Sequence, residues 1–125
     1  EGAIFMVVLV IDSNPAELMK TAQTIQSVYA EADVLAFDDG MDAVQYGFNH
    51  TVDAVYSAVM LPHLTGFDVA RLLRGRHPGM TTVLFDDSEA FAGRARRARI
   101  GFCRKPLEEE ALRRLLAETA AGRRG

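Results

Sequence analysis

The sequence predicts an α/β fold in which helices cover both faces of a parallel five-stranded sheet. Five short apolar runs alternate with five longer stretches of helical periodicity. Most of the apolar runs are continuous rather than alternating, which is typical of strands buried on both faces. Right-handed crossovers leave few other ways to arrange five consecutive βα units.

The apolar runs are the predicted strands, and the predicted helices lie between them. The strands are residues 4–12, 32–37, 53–59, 82–86 and 100–104, and the helices are residues 15–29, 40–48, 66–74, 88–99 and 106–120. The first helix has the clearest start: Asn14 suits the cap, Pro15 the first helical position, and Glu17 completes the spacing of a capping box.

Length and composition fit one domain. The chain has 125 residues, of which 49% are hydrophobic and 25% are charged, the balance of an ordinary globular protein. A chain of this size buries roughly two-thirds of the surface of its unfolded form, so a core can form without a disulfide or metal. We expect one domain over residues 1–120, and at residues 121–125 a tail or the start of a linker.

Cysteine content and hydropathy bear on the compartment. Cys103 is the only cysteine, so the chain makes no internal disulfide and a reducing cytoplasm is expected. The longest apolar run, residues 3–11, ends at Asp12. It has about half the length that a bilayer span needs, so no membrane segment is expected.

These elements define a flavodoxin-like three-layer sandwich with strand order 2-1-3-4-5. In open sheets of this kind, ligands bind beyond the carboxyl ends of the strands, at the point where the strand order reverses. The residues at those ends are therefore the first candidates for a functional site, and they are Asp12, Ala58, Asp87 and Lys105.

Three landmarks at the strand ends resemble those of bacterial response-regulator receiver domains. Residues 8–15 read VLVIDSNP, residues 53–68 read DAVYSAVMLPHLTGFD with the Pro and Gly loop at matching spacing, and residues 102–106 read FCRKP. The landmarks occur in order and cover nearly the whole chain. The resemblance implies a module of two-component phosphorelay signalling, typically part of a transcription regulator.

The resemblance also implies a phosphorylation site, from which this chain departs. In the family, a carboxylate at the end of the third strand accepts a phosphoryl group. Here Ala58 occupies that position, and a methyl group is not a nucleophile. The neighbouring Ser57 points to the opposite side of the strand. We therefore expect no catalytic residue and no phosphorylation on aspartate, which makes the chain a pseudo-receiver.

The metal site implied by the family is also incomplete. Asp12 retains one carboxylate of the acidic pair that helps to bind Mg²⁺ in the family, although it could instead cap the first helix. Ser13 falls where the second acid would lie, and its neutral hydroxyl contributes little to holding a cation. We expect Mg²⁺ to bind weakly at Asp12 or not at all, and no other cofactor.

Lys105 and Pro106 keep the family form, in which the peptide bond is commonly cis and the lysine contacts phosphoryl oxygens. Without a phosphoryl group, Lys105 could pair with Asp12 or with Asp87, which falls where the family has a Thr or Ser. A pair with Asp87 would hold the switch in one state. Alternatively, Asp86 and Asp87 both cap the next helix, and the sequence does not decide between these readings.

Charge is divided unevenly along the chain. Residues 1–70 carry ten acidic residues and one basic residue, whereas residues 71–125 carry thirteen basic and seven acidic residues. A basic face that meets an acidic partner is one interpretation, and a mixed solvated surface is the other.

The resemblance places protein partners on the face of the fourth helix, fifth strand and fifth helix. The basic candidates on that face are Arg94, Arg97, Arg113 and Arg114, unless they are simply solvated. Phe102 occupies the place of the family's rotating aromatic residue, with an ordinary core phenylalanine as the alternative. Expected partners are the chain's own output domain, a second copy and a histidine kinase. Nucleic acid is expected only through an output domain, and no membrane partner is expected.

Three functions remain open. The preferred one is a degenerate receiver that acts through protein–protein interaction. The others are a receiver with an atypical phosphoacceptor and a small-ligand sensor in which the loss of charge at Ala58 opens a pocket. The chain has no GxxxxGK[ST] or GxGxxG loop, and its three histidines are too scattered for a zinc cluster.

Overall fold

Five parallel strands form one sheet in the spatial order β2-β1-β3-β4-β5, which confirms the predicted topology. The computed structural model describes residues 6–124, with side chains described for residues 6–118. The beginning of the predicted first strand lies outside the described residues. The strands are β1 (Val7–Ile11), β2 (Asp33–Phe37), β3 (Ala54–Ala58), β4 (Thr81–Asp86) and β5 (Gly101–Arg104).

Helices follow each strand and cover both faces of the sheet. Three hydrophobic clusters join the helices to the sheet. One includes Ile25 and Leu116 of the first and last helices, and another includes Val44 and Leu73 of the second and third. The third includes Ala95 of the fourth helix. The helices are α1 (Pro15–Val28), α2 (Gly40–Asn49), α3 (Gly66–Arg74), α4 (Ala92–Arg97) and α5 (Glu109–Arg124).

The fourth helix is much shorter than the predicted residues 88–99. The Asp86 carboxylate accepts hydrogen bonds from the Ser88 amide at 3.2 Å and the Ser88 hydroxyl at 3.3 Å, so a side-chain turn occupies the predicted first turn. At the other end, Arg99 has a φ of 60° and ends the helix. The helix is therefore shorter than its periodic pattern predicts, and at its start the cause is a turn held by polar side chains.

The fifth helix is displaced toward the carboxyl end of the chain relative to the predicted residues 106–120. It begins at Glu109, after the cis peptide bond between Lys105 and Pro106 that the family resemblance implied. It continues to Arg124, through alanine and arginine residues that favour helix. The predicted end at residue 120 is therefore wrong.

Close packing at Gly66 brings the start of α3 against the end of β3. The Gly66 amide donates to the Val59 carbonyl at 2.8 Å. A Cβ atom at Gly66 would lie 2.5 Å from the Ala58 carbonyl oxygen and 2.8 Å from Leu84 Cδ2. The loop between β3 and α3 can pass this close to the Ala58 backbone only because Gly66 has no side chain.

We predict that Gly66→Ala destabilises the fold by about 1–3 kcal/mol, because the backbone oxygen of Ala58 must move to admit the methyl group. Gly79→Ala is the matched control, since a Cβ atom there meets nothing within 4 Å. Urea unfolding measures both variants. Equal effects of the two substitutions would contradict the packing argument.

Candidate functional site

Residues from three strands meet at the carboxyl edge of the sheet. Asp12 follows β1, Ala58 ends β3 and Lys105 follows β5. The register pairs Ile11 with Ser57 and Ala58 with Phe85, so the strand ends are level. Parallel strands bring their carboxyl ends to one edge, and the structure therefore brings these predicted site residues together.

The third strand contributes a methyl group to this edge. Ala58 is 4% exposed and belongs to the hydrophobic cluster that contains Val10 and Phe85. Ser57 is fully buried, and its Oγ lies 3.3 Å from the position of a Cβ atom on Gly66, on the α3 side of the sheet. The predicted opposite orientation of Ser57 is confirmed. Its hydroxyl donates to the Ala58 carbonyl at 2.8 Å and is thereby occupied.

Asp12 is a buried carboxylate with two partners. Its Oδ1 accepts a hydrogen bond from the Asn14 amide at 2.9 Å, which shapes the turn before α1. Its Oδ2 lies 3.1 Å from Lys105 Nζ. That contact is an ion pair without the alignment of a good hydrogen bond, since Oδ2 has no hydrogen-bond partner. The role of helix N-cap falls to Asn14, whose Oδ1 accepts from the Glu17 amide at 3.1 Å.

The Lys105 ammonium group has two carboxylate partners. It pairs with Asp12 and donates a hydrogen bond to Glu17 Oε1. Its Nζ also lies 5.7 Å from the centroid of the Phe85 ring. The lysine side chain is 16% exposed. Its ammonium group is therefore stabilised mainly by these two carboxylates and less by water.

These partners raise the pKa of Lys105. Burial by itself would lower the pKa, but the hydrogen bond to Glu17, the close contact with Asp12 and the negative charges of both carboxylates outweigh it. Because the folded value is the higher one, the stabilising effect is fully present below the ordinary lysine pKa. It is lost only as the pH rises through the raised value.

Glu17 is the site residue that the sequence interpretation missed. Its spacing from Asn14 indicated a capping box, but its carboxylate reaches Lys105, across the cleft between the first turn of α1 and the end of β5. The reciprocal capping box lies instead at α3, between Thr65 and Asp68. Glu17 could have been identified from its position, because an acid in the first turn of the helix after β1 lies near the carboxyl edge of the sheet.

The structure selects one of the two lysine pairings that the sequence left open. Lys105 pairs with Asp12, and among the described side chains no ion pair joins it to Asp87. The Asp87 side chain is exposed, and its backbone carbonyl accepts from Arg104 Nε at 2.9 Å. The alternative in which both acids cap the next helix is wrong, because the N-cap of α4 is Phe91 and has no side-chain hydrogen bond. Asp86 instead accepts the hydrogen bonds that form the turn at Ser88.

The residues present do not fit a magnesium ion. Asp12 is the only carboxylate among the predicted site residues at the ends of β1 and β3, and the Lys105 ammonium already balances its charge. Ser13 is exposed, and Ala58 has no ligand atom. In the described part of the chain, no group of three or more His, Cys, Asp or Glu side chains could hold a metal. A divalent cation needs several hard oxygen ligands, and the predicted ligand positions supply a single carboxylate, that of Asp12.

The predicted surface arginines lie on α4 and α5. Arg94 stacks on Phe67, with its guanidinium carbon 4.0 Å from the ring centroid, and Arg113 pairs with Glu109 at 2.6 Å. Arg97 and Arg114 are exposed. Phe102 is partly buried and packs on the cluster beneath α4, as a core phenylalanine would. Its predicted rotation stays a prediction.

Within residues 6–124, no helix combines the length and the apolar character that crossing a membrane requires.

Comparison with known proteins identifies relatives of the whole domain. Residues 8–117 match the family model described as response regulator receiver domain. No curated protein matches the chain. Several solved structures have the same fold at low sequence identity, and three of them illustrate the range.

The chemotaxis response regulator CheY4 of Vibrio cholerae is 20% identical, over 93% of this chain and 99% of that chain, with a TM-score of 0.80. DrrB, an OmpR/PhoB homolog of Thermotoga maritima, is 19% identical over 94% of this chain and 54% of that one, with a TM-score of 0.81. The receiver domain of the hybrid histidine kinase CckA is 17% identical, over 90% and 97%, with a TM-score of 0.74.

We predict that Lys105→Met destabilises the protein by about 2–3 kcal/mol, because it leaves the buried Asp12 carboxylate without a counter-charge. The double variant Asp12→Asn/Lys105→Met should lose less than the sum of the two single variants. A double-mutant cycle by urea unfolding measures the difference. Strict additivity would show that the two groups do not interact.

Proposed function

The chain belongs to the response regulator receiver domain family of two-component signalling, and from that premise we propose that it is a pseudo-receiver. It is not phosphorylated on aspartate and acts by binding other proteins. The observation that carries the proposal is the buried methyl group of Ala58 at the end of β3. Transfer of a phosphoryl group to a side chain requires an attacking oxygen at that position.

Neither Ser57 nor Asp12 is a ready substitute for the missing acceptor. Ser57 is fully buried on the α3 side, and its hydroxyl donates to a backbone carbonyl. The Asp12 carboxylate is paired with Lys105 and bonded to the Asn14 amide. An attacking group must be free and close to the donor phosphorus. These contacts support a site without a nucleophile and disfavour an atypical phosphoacceptor.

The electrostatics of the site support the same function. In phosphoryl transfer, cations offset the charge on the transferred group. Here the Lys105 ammonium is already paired with Asp12 and Glu17, and the magnesium ligands are incomplete. The vestigial pocket of Asp12, Ser13, Ala58, Asp87 and Lys105 therefore lacks both the nucleophile and the free positive charge.

Binding to other proteins is the function that remains for such a domain. Receiver domains interact with histidine kinases and with output domains. An output domain is therefore the first proposed partner. We place the contact face on α4, β5 and α5, with the exposed Arg97 and Arg114 among its contacts and Arg94 and Arg113 beside them. The other proposed partners are a second copy of the chain and a histidine kinase. The proposed compartment is the cytoplasm.

We predict that the native chain stays unmodified after incubation with acetyl phosphate and Mg²⁺, as measured by intact mass. Ala58→Asp, alone or with Ser13→Asp, restores an attacking carboxylate and should gain one phosphoryl group. Asp87→Thr should remain unmodified, because a hydroxyl at that position does not replace the acceptor. A labelled native chain would mean that another residue attacks and that the proposal is wrong.

We also predict weak magnesium binding, with a Kd in the millimolar range or above. One paired carboxylate is a poor substitute for the several hard oxygen ligands that the ion prefers. Isothermal titration calorimetry of the native chain and of Ser13→Asp/Ala58→Asp measures the comparison. The double variant should bind more tightly, and micromolar binding by the native chain would contradict the assignment of the ligands.

A further inference from the structure

A small cavity borders the ion pairs of Lys105. It lies between the first turns of α1 and the loop that joins β5 to α5, and its volume is about 80 Å³. Such a volume accommodates about three water molecules or one small oxyanion. The cavity is lined by Asp12, Glu17, Lys20, Thr21, Lys105, Pro106 and Leu107.

Charge determines what this cavity can bind. Four of its lining residues carry formal charges that sum to zero: two lysines, Lys20 and Lys105, and two acids, Asp12 and Glu17. The two carboxylates differ in exposure. The Asp12 side chain is 4% exposed, whereas that of Glu17 is 47% exposed and approaches Lys105 from the solvent side. An external anion would therefore compete for the lysine with Glu17, the more exposed of its two partners.

We propose that Glu17 is a built-in anionic ligand of Lys105, which excludes external phosphate-like anions from this cavity. The inference rests on the proposed function, because it names the group that takes the place of an external anion in a pseudo-receiver. Glu17 acts through Lys105, whose ammonium group it binds.

The consequences of removing its charge follow from elementary electrostatics. Glu17→Gln keeps the size and the hydrogen-bonding oxygen of the side chain but changes the net charge of the cavity from zero to one positive charge. Lys105 then has only Asp12 as a charged partner, and Lys20 remains nearby. A doubly charged oxyanion close to this added charge gains about 1.4 kcal/mol or more, equivalent to about tenfold in affinity.

The test is a titration with inorganic phosphate at fixed ionic strength, followed by backbone amide shifts of Lys105 and Leu107 in NMR spectra. Phosphate should bind Glu17→Gln at least about tenfold more tightly than the native chain. Glu31→Gln is the matched control, since it removes the same charge from an exposed residue outside the cavity, and it should behave like the native chain. The double variant Glu17→Gln/Lys105→Met should lose the gained affinity.

Two results would overturn the inference. One is equal phosphate affinity of Glu17→Gln and the native chain. The other is an equal gain in Glu17→Gln and Glu31→Gln, which would indicate an effect of overall charge alone. Thermal unfolding of each variant verifies that it is folded at the titration temperature, and if the double variant is unfolded, Glu17→Gln/Lys105→Gln replaces it.

The phosphate titration and the test of the proposed function can fail independently of each other. Phosphate binding is measured without a phosphoryl donor, and labelling by acetyl phosphate is measured on the native chain by mass. An unlabelled native chain together with unchanged phosphate affinity in Glu17→Gln would leave the pseudo-receiver proposal intact and remove only the role of Glu17.

Discussion

The ion pair between Asp12 and Lys105 connects the first strand to the last across the carboxyl edge of the sheet. Two other strands, β3 and β4, lie between them in the sheet, so the pair spans the end of β3 where Ala58 lies. A lysine that is largely buried is stable only with a counter-charge, because the desolvation of an ammonium group is otherwise too costly. The arrangement of this edge follows from that requirement.

Ala58 determines where the counter-charge comes from. With a methyl group at the end of β3, that strand offers no carboxylate to the lysine, and its partners come from β1 and α1 instead. Glu17 extends from the first turn of α1 to complete the pairing. The methyl group at Ala58 is thus accompanied by two carboxylates from other elements that balance the charge of Lys105.

The fold and the chemistry of this site depend on different residues. Gly66 allows α3 to approach the Ala58 backbone, and the capping box of Thr65 and Asp68 begins that helix. Neither feature requires an acid at the end of β3. The scaffold can therefore keep its packing, strand register and lysine while the attacking group is absent, which is why resemblance of fold alone does not establish a reaction.

Local sequence patterns determined most of the architecture. Continuous apolar runs identified the five strands, and the Asn14-Pro15 pair identified the start of α1, because cap and backbone preferences act over a few residues. The absence of a nucleophile at Ala58 and the opposite orientation of Ser57 also follow from residue type and from the two-residue period of a strand. Boundaries failed where polar side chains compete with the backbone, as Asp86 and Ser88 do before α4.

Only the tertiary structure decided which acids neutralise the lysine. Glu17 and Lys105 are 88 residues apart in the chain, and their contact depends on how α1 packs against the sheet and on the direction of the loop after β5. Asp87, an equally plausible partner from its position in the sequence, is exposed instead. Pairing between distant charged side chains depends on the packing of whole elements, which a local sequence pattern does not contain.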